Sequence, residues 1–366
     1  MPGQATDTFL DRILAHLGPL IADDSQNPPR QISARSPMFE YIPSVLPDEF
    51  EVTITDHGDG HVTLLAVRGA PELLFNCHLD TVPVGEGWSV PPLELTVRNG
   101  RAWGRGSCVI KGAAAALLTV AETSRKPMAM LLSSDEEGAG GCCVQRFLDS
   151  DAARPFRFAV VCEPTANRAV LAHRGFLSVK GHFNGIAGHS SALRAIQDSA
   201  VHAAGRWISA ALEHCRVEAE AGRATCFNVG RIDGGLKSNV IADQCALHYS
   251  ARLSPGADNA EFLAAISGLA DANARARWEI PFSGPPLPAA GREASGARAF
   301  AAAHGLPVTE QVDFWTEASL FSAAGLDAVV LGPGHIEQAH TIDEWVALDQ
   351  LEAAAGHYLR IVESAA

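Results

Sequence analysis

Leu73-Leu-Phe-Asn-Cys-His-Leu-Asp80 is an apolar run that ends in an imidazole and a carboxylate two positions apart. In extended chain, residues i and i+2 point to one face, so His78 and Asp80 leave the strand side by side. The same design recurs further along. Met128–Ser133 runs into Asp135-Glu136-Glu137, and Phe158–Cys162 runs into Glu163-Pro164. Ala328–Leu331 runs into a Gly332-Pro-Gly334 turn that is followed by His340. Two more strand-like runs, Phe50–Thr55 and Val62–Val67, precede these, and Lys111–Ala121 reads as an Ala- and Leu-rich helix opening after a glycine-rich turn. This alternation predicts an α/β layer with a largely parallel sheet, in which sites collect at the C-terminal ends of strands.

From about residue 173 the pattern changes. Phe176–Phe183 alternates, Ala200–Ala211 reads as a helix, and Cys226–Ile232 and Cys245–Leu253 read as strands, which predicts a small α+β sandwich. Pro281-Phe-Ser-Gly-Pro-Pro-Leu-Pro288 reads as a connector. Beyond it, Ala294–His304 and Leu348–Ile361 are helical and flank the short strand at 328–331, so the α/β pattern returns. The expectation is therefore one domain of residues 1–172 plus 283–366, interrupted by a second of residues 173–282.

The chain has 366 residues, 47% of them apolar, which is enough for a core without disulfide staples. A net charge of −14, with only four lysines among the cations, is the wrong sign for nucleic acid and offers no polybasic patch to an anionic membrane. The apolar runs are also too short to span a bilayer, which takes ~20 residues. Phe9, Leu10, Ile13, Leu14, Leu17 and Ile21 recur at helical spacing, as in an amphipathic helix rather than a leader. None of the eight cysteines forms a CxxC pair and several sit in apolar runs, so they read as buried free thiols in a reducing, cytoplasmic compartment.

Each polar cluster alone also describes an ordinary polar turn. Four of them at four strand exits are harder to dismiss. Two histidines with two or three carboxylates are the ligand types for zinc or a similar divalent ion. A carboxylate such as Asp80 beside a histidine fixes the tautomer that metal binding needs.

His78-Leu-Asp80-Thr-Val-Pro83, Gly104-Arg-Gly-Ser-Cys-Val-Ile-Lys-Gly112, Asp135-Glu-Glu137, Glu163-Pro-Thr165, Gly188-His-Ser-Ser191 and Gly332-Pro-Gly334 with Ala339-His340 follow one another in chain order. In this they resemble the M20 metallo-aminoacylase/deacetylase family over nearly the whole chain. Trp315-Thr-Glu-Ala318 with Gln338-Ala-His340 resembles its acetylornithine deacetylase branch. Asn27-Pro-Pro-Arg30, Leu171–Gly175 and Val312–Phe321 are most similar to the members that act on acetylcitrulline. The resemblance implies a zinc-exopeptidase-like catalytic domain, with the inserted ferredoxin-like α+β sandwich as lid and dimerisation domain. It implies hydrolysis of the N-acetyl amide of a small α-amino acid in arginine biosynthesis, with N-acetyl-L-citrulline foremost and N-acetyl-L-ornithine second. It further implies two zinc or cobalt ions: His78 and Glu163 on one, Glu137 and His340 on the other, Asp80 orienting His78, and Glu136 as general base. His189 would donate to the oxyanion across a homodimer, and Arg252, Asn239 and Glu317 would bind substrate.

One position departs from that pattern. The family places an aspartate that bridges both metals directly after Cys108, and this chain has Val109 there. Valine has no donor atom, and without the bridge each ion keeps two protein ligands where catalytic zinc usually has three. The alternatives are one ion, or two weakly held, with reduced activity; a protein that binds acyl amino acids without hydrolysing them; or an accidental change at this codon. Cys108 and His335 are the nearby substitutes, although neighbours in extended chain point oppositely.

Overall fold

The computed structural model describes residues 8–29, 31–138, 142–271 and 275–364. Arg30 of the Asn27–Arg30 stretch lies outside the described residues. In chain order the elements begin with α1 (Phe9–Ala22), α2 (Pro37–Val45), β1 (Glu51–Asp56), β2 (Val62–Arg68), β3 (Leu73–His78), β4 (Thr96–Arg98) and β5 (Arg101–Trp103). There follow α3 (Lys111–Thr123), β6 (Met128–Ser133), α4 (Cys142–Leu148), β7 (Phe158–Val161) and β8 (Ala169–Val170). The middle of the chain forms β9 (Phe176–Asn184), β10 (Gly188–His189), α5 (Ala195–Asp198), α6 (Ala200–Glu220), β11 (Cys226–Gly234) and β12 (Val240–Ile241). It continues through β13 (Gln244–Arg252), α7 (Asn259–Ser267) and β14 (Arg277–Gly284). The last elements are α8 (Ser295–Ala303), β15 (Val308–Thr309), α9 (Ala318–Ala323), β16 (Asp327–Val330), β17 (Trp345–Ala347) and α10 (Leu348–Ser364).

These elements form two compact units. The first comprises residues 1–171, 294–311 and 316–366, and the second residues 172–293 and 312–315. The first unit is built on an eight-stranded sheet in the order β1-β2-β6-β3-β7-β16-β8-β15. Its centre is parallel, β6 to β3, β3 to β7 and β7 to β16. Towards one edge β1, β2 and β6 pair antiparallel, and β16 meets β8 antiparallel through a single pair, Val330 with Val170. The largely parallel sheet expected from the alternation is thus a mixed one. The β1–β2 connection is a short hairpin turn rather than a helical crossover, and a hairpin reverses direction.

Burial explains the composition of the central elements. β6 is buried at every position and β3 at all but its first, so neither alternates. α3 is buried from Lys111 to Ala121, and its run of small residues from Gly112 to Ala116 lets it lie close to its neighbours α1 and α10. α1 begins with a reciprocal cap: Thr8 Oγ1 accepts the Asp11 amide at 3.1 Å, and the Asp11 carboxylate accepts the Thr8 amide at 3.0 Å.

The second unit has a four-stranded antiparallel sheet in the order β11-β13-β9-β14. β9 alternates between buried and partly exposed residues, as a sheet with one covered face requires. Leu177, Val179 and Phe183 pack with Trp207 and Ala211 of α6 and Ile266 of α7. The connector expected at 281–288 begins later, because β14 runs through Pro281 to Gly284. Pro281 is tolerated since β14 is an edge strand and its register shifts between Glu279 and Phe282.

Candidate metal centre

Strands β6, β3, β7 and β16 are neighbours and mutually parallel, so their C-terminal ends open on one edge of the sheet. These four exits carry Glu136 and Glu137, His78 and Asp80, Glu163, and the loop to His340. Sheet order therefore gathers four clusters scattered over more than 260 residues of sequence, at the place where open α/β sheets form their sites.

Asp80 organises the cluster. Its carboxylate is fully buried, accepting the Glu136 amide at 3.2 Å and the Glu137 amide at 3.0 Å. It also accepts the Asn27 side-chain amide at 2.8 Å. His78, equally buried, donates from Nδ1 to the Asp80 carbonyl at 2.9 Å, which leaves Nε2 facing Glu163 Oε1 at 3.4 Å. His340 Nε2 lies 2.8 Å from Glu137 Oε1. Donor atoms of His78, Glu136 and Glu137 all lie within 4.8 Å of one another.

The electrostatics identify what the cluster suits. Withdrawal from water pushes the Glu136 carboxyl well above its ordinary range; His78 offsets this in part, while Glu137 and Glu163 add to it. Burial opposes a charged His78, yet hydrogen bonds to Asp80 and Glu163 outweigh it and hold the imidazole well above its usual value. Burial likewise works against an ionised Asp80, but its bonds from His78, Asn27 and the Glu137 amide keep it low. The hydrogen bond to Glu137 raises His340. Carboxylates are thus crowded around two imidazoles, with protons standing between the pairs. A divalent cation neutralises that crowding better than protons do, and the nitrogen and oxygen donors suit zinc or cobalt.

Val109 is buried, and its amide donates to Glu344 Oε1 at 3.0 Å. Neither nearby substitute is turned to the cluster. The buried Cys108 thiol faces the His335 carbonyl at 3.5 Å, and the His335 ring meets Gln350. Among the described residues, one other group has metal-ligand composition: His61 Nδ1, 2.6 Å from Asp135 Oδ2, with Cys143. There Asp135 Oδ2 accepts the Cys143 amide at 2.9 Å, which caps the first turn of α4.

The remaining candidates were expected at the substrate or the oxyanion. Glu317, expected at the substrate, is 1% exposed, a core carboxyl beneath the sheet exits. Its Oε2 accepts from Ser133 at 3.5 Å and from the Asn76 side-chain amide, with its nitrogen turned toward Glu317, at 3.1 Å. Burial, with Asp135 beside it, pushes the carboxyl up to about 8. His189 is exposed on β10, with Nδ1 2.8 Å from Ser191 Oγ, and Asn239 adjoins it through the Ser190 amide. Arg252 ends β13, its guanidinium 3.8 Å over the Phe176 ring. Asn239 stands directly before β12, not on β13.

Three residues of the site escape local reading. Asn27 reaches Asp80 across 53 positions, and Arg105 reaches Glu344 across 239. The only signal for Asn27 and Arg105 is their place in the quoted motif stretches, and Glu344 has none.

The model of peptidase family M20/M25/M40 matches residues 74–364. The chain belongs to that family. This M20 chain is 45% identical to the N-acetyl-L-citrulline deacetylase of Xanthomonas campestris pv. campestris, covering 97% of this chain and 98% of that protein. It is 32% identical to the acetylornithine deacetylase of Myxococcus xanthus over 81% of this chain and 82% of that one. Among solved structures it resembles aminopeptidase PepT from Bacillus cereus, with a TM-score of 0.72 and 18% identity over 97% of this chain and 98% of that chain. That likeness is one of fold.

Proposed function

We propose that this M20 chain hydrolyses the N-acetyl amide of a small α-amino acid, N-acetyl-L-citrulline foremost, releasing acetate and L-citrulline in arginine biosynthesis. The observation that carries the reading is the convergence of His78, Glu136, Glu137, Glu163 and His340 at one sheet edge. Identity of 45% along nearly all of an acetylcitrulline deacetylase supports the choice of substrate, and the acetylornithine deacetylases supply the alternative.

His78 with Glu163, and Glu137 with His340, would hold the metal. When bound, a divalent ion acidifies water towards neutrality and polarises the amide carbonyl. Glu136 takes the proton from the attacking water and returns it to the nitrogen as the C–N bond breaks. Asp80 keeps Nδ1 of His78 occupied, so the ring presents Nε2 throughout. Asp80 also holds the Glu136 and Glu137 amides, which fixes where base and ligand stand relative to each other. His189 is assigned to the oxyanion from a second chain, so the working form is a cytoplasmic homodimer. Arg252 is assigned to the substrate carboxylate, which its fork suits. The first unit is the catalytic domain, and the second serves as lid and dimerisation domain.

With Val109 in place of a bridging carboxylate, Glu137 and Glu163 balance one divalent ion and leave a second uncompensated. We therefore assign one tightly held ion to this chain. The experiment is acetate release from N-acetylcitrulline and N-acetylornithine by purified protein supplied with Zn²⁺ or Co²⁺. Release from the former at higher kcat/KM is expected, and release from neither overturns the reading. Val109 favours a second reading, a protein that binds acyl amino acids without turnover. That reading predicts saturable binding of acetylcitrulline with no acetate.

A further inference from the structure

We propose that Glu344 is a positioning residue for the candidate metal centre, tying together the three segments that carry His78 and Asp80, Val109, and His340. The proposal rests on the reading of that centre as metal-binding.

Glu344 is fully buried, four residues after His340. Both of its carboxylate oxygens are used. Oε1 accepts the Cys108 amide at 2.9 Å and the Val109 amide at 3.0 Å, while Oε2 accepts from Arg105 Nη1 at 2.7 Å. Its own carbonyl accepts the Gly104 amide at 3.1 Å. Arg105, 2% exposed, turns its other terminal nitrogen to the carbonyls of Pro83 at 3.1 Å and Val84 at 3.4 Å. These lie just beyond His78 and Asp80. One ion pair therefore joins the exit of β3, the turn before α3 and the loop before β17.

That loop needs holding. His340 has φ +62° and Asp343 φ +59°, left-handed conformations that residues other than glycine adopt at a cost and keep only when their surroundings enforce them. Glu344 supplies one restraint, and Asp343 Oδ1, accepting the Ser89 amide at 2.7 Å, supplies another. The turn at 104–109 is equally tight. A Cβ on Gly106, whose φ is +85°, would stand 2.8 Å from Lys111 Cδ and 3.0 Å from Thr81 Cγ2. Glu344 acts through the backbone of the loops that present the ligands.

The test compares Co²⁺ affinity of metal-free wild type, Glu344→Gln and Arg105→Lys by calorimetric titration, with the far-UV circular dichroism of each. Glutamine keeps an acceptor for the two amides but withdraws the charge opposite Arg105. Lysine keeps that charge but has no fork to span Glu344 and the carbonyls of Pro83 and Val84. A loss of about 10-fold or more in Co²⁺ affinity is expected for Glu344→Gln with its dichroism unchanged, and a smaller loss for Arg105→Lys. A folded Glu344→Gln that binds Co²⁺ like wild type overturns the proposal. Should Glu344→Gln not fold, wild-type affinity in Arg105→Lys overturns it instead. Failure of the deacetylase reading looks different: wild type then binds Co²⁺ and releases no acetate.

Discussion

His340 Nε2 lies 2.8 Å from Glu137 Oε1, although 203 positions of chain separate them. The pair stands 48% exposed on the imidazole side and 7% on the carboxylate side, so it marks the open rim of the cluster, while His78 and Glu163 form its floor. Two imidazole–carboxylate pairs, one deep and one at the rim, are therefore the groups that would receive a divalent ion.

Replacing the rim imidazole tests this arrangement. His340→Ala is expected to weaken Zn²⁺ or Co²⁺ binding by on the order of 100-fold, at the upper end of the loss usual for removing a group that only orients a ligand. Metal content after dialysis measures it. Retention of the wild-type ion content would place His340 outside the centre.

Glu136 separates binding from chemistry. Glu136→Gln keeps the size of the side chain but removes the proton acceptor. Acetate release should fall about 10²- to 10⁴-fold, the range for loss of a general base. Co²⁺ content should stay at the wild-type level, because His78, Glu137, Glu163 and His340 remain. A variant that hydrolyses acetylcitrulline as fast as wild type would remove Glu136 from the mechanism.

Glu317 predicts a pH-dependent stability of the chelated protein. Its carboxyl is pushed up to about 8 from an ordinary 4.5. Between these values the folded protein holds a proton that the unfolded chain has released. Its contribution is thus fully present below about 4.5 and is lost as pH rises through about 8. Each pH unit in that window costs up to about 1.4 kcal/mol. Glu317→Gln keeps hydrogen-bonding capacity towards Asn76 and Ser133 without titrating. Its melting temperature relative to wild type should rise steadily from pH 5 to pH 8.5. A difference that stays flat with pH would mean that Glu317 ionises normally.

On the proposed reading, Val109 sets the ion count. Val109→Asp adds a carboxylate at a buried position whose amide is already fixed by Glu344. The expected result is two ions per chain by elemental analysis where wild type holds one, with a rise in acetate release. If the variant still holds one ion, the side chain at 109 does not reach the metals.

Much of the centre was legible as strand exits. His78, Glu136, Glu137, Glu163 and His340 each follow an apolar run whose length and β-branched or apolar content announce a strand. Glu317 carries a substrate role only through the motif around it, and no local pattern reveals that its carboxyl is buried. The partners Asn27, Arg105 and Glu344 were missed for a related reason. Each acts on a segment far away in sequence, and a single polar residue in a loop has no periodicity to betray it.

The sequence by itself determined where most of the long strands and helices lie, which strand exits carry metal-ligand residue types, and that position 109 carries no donor. These are local properties, set by the two-residue and 3.6-residue repeats of the backbone and by the identity of each side chain. Only the tertiary structure decided that β6, β3, β7 and β16 lie side by side and parallel, and that Arg105 closes on Glu344. Strand order and long-range ion pairs depend on which apolar faces bury against one another. That is a property of the whole chain, and no window of it contains the answer.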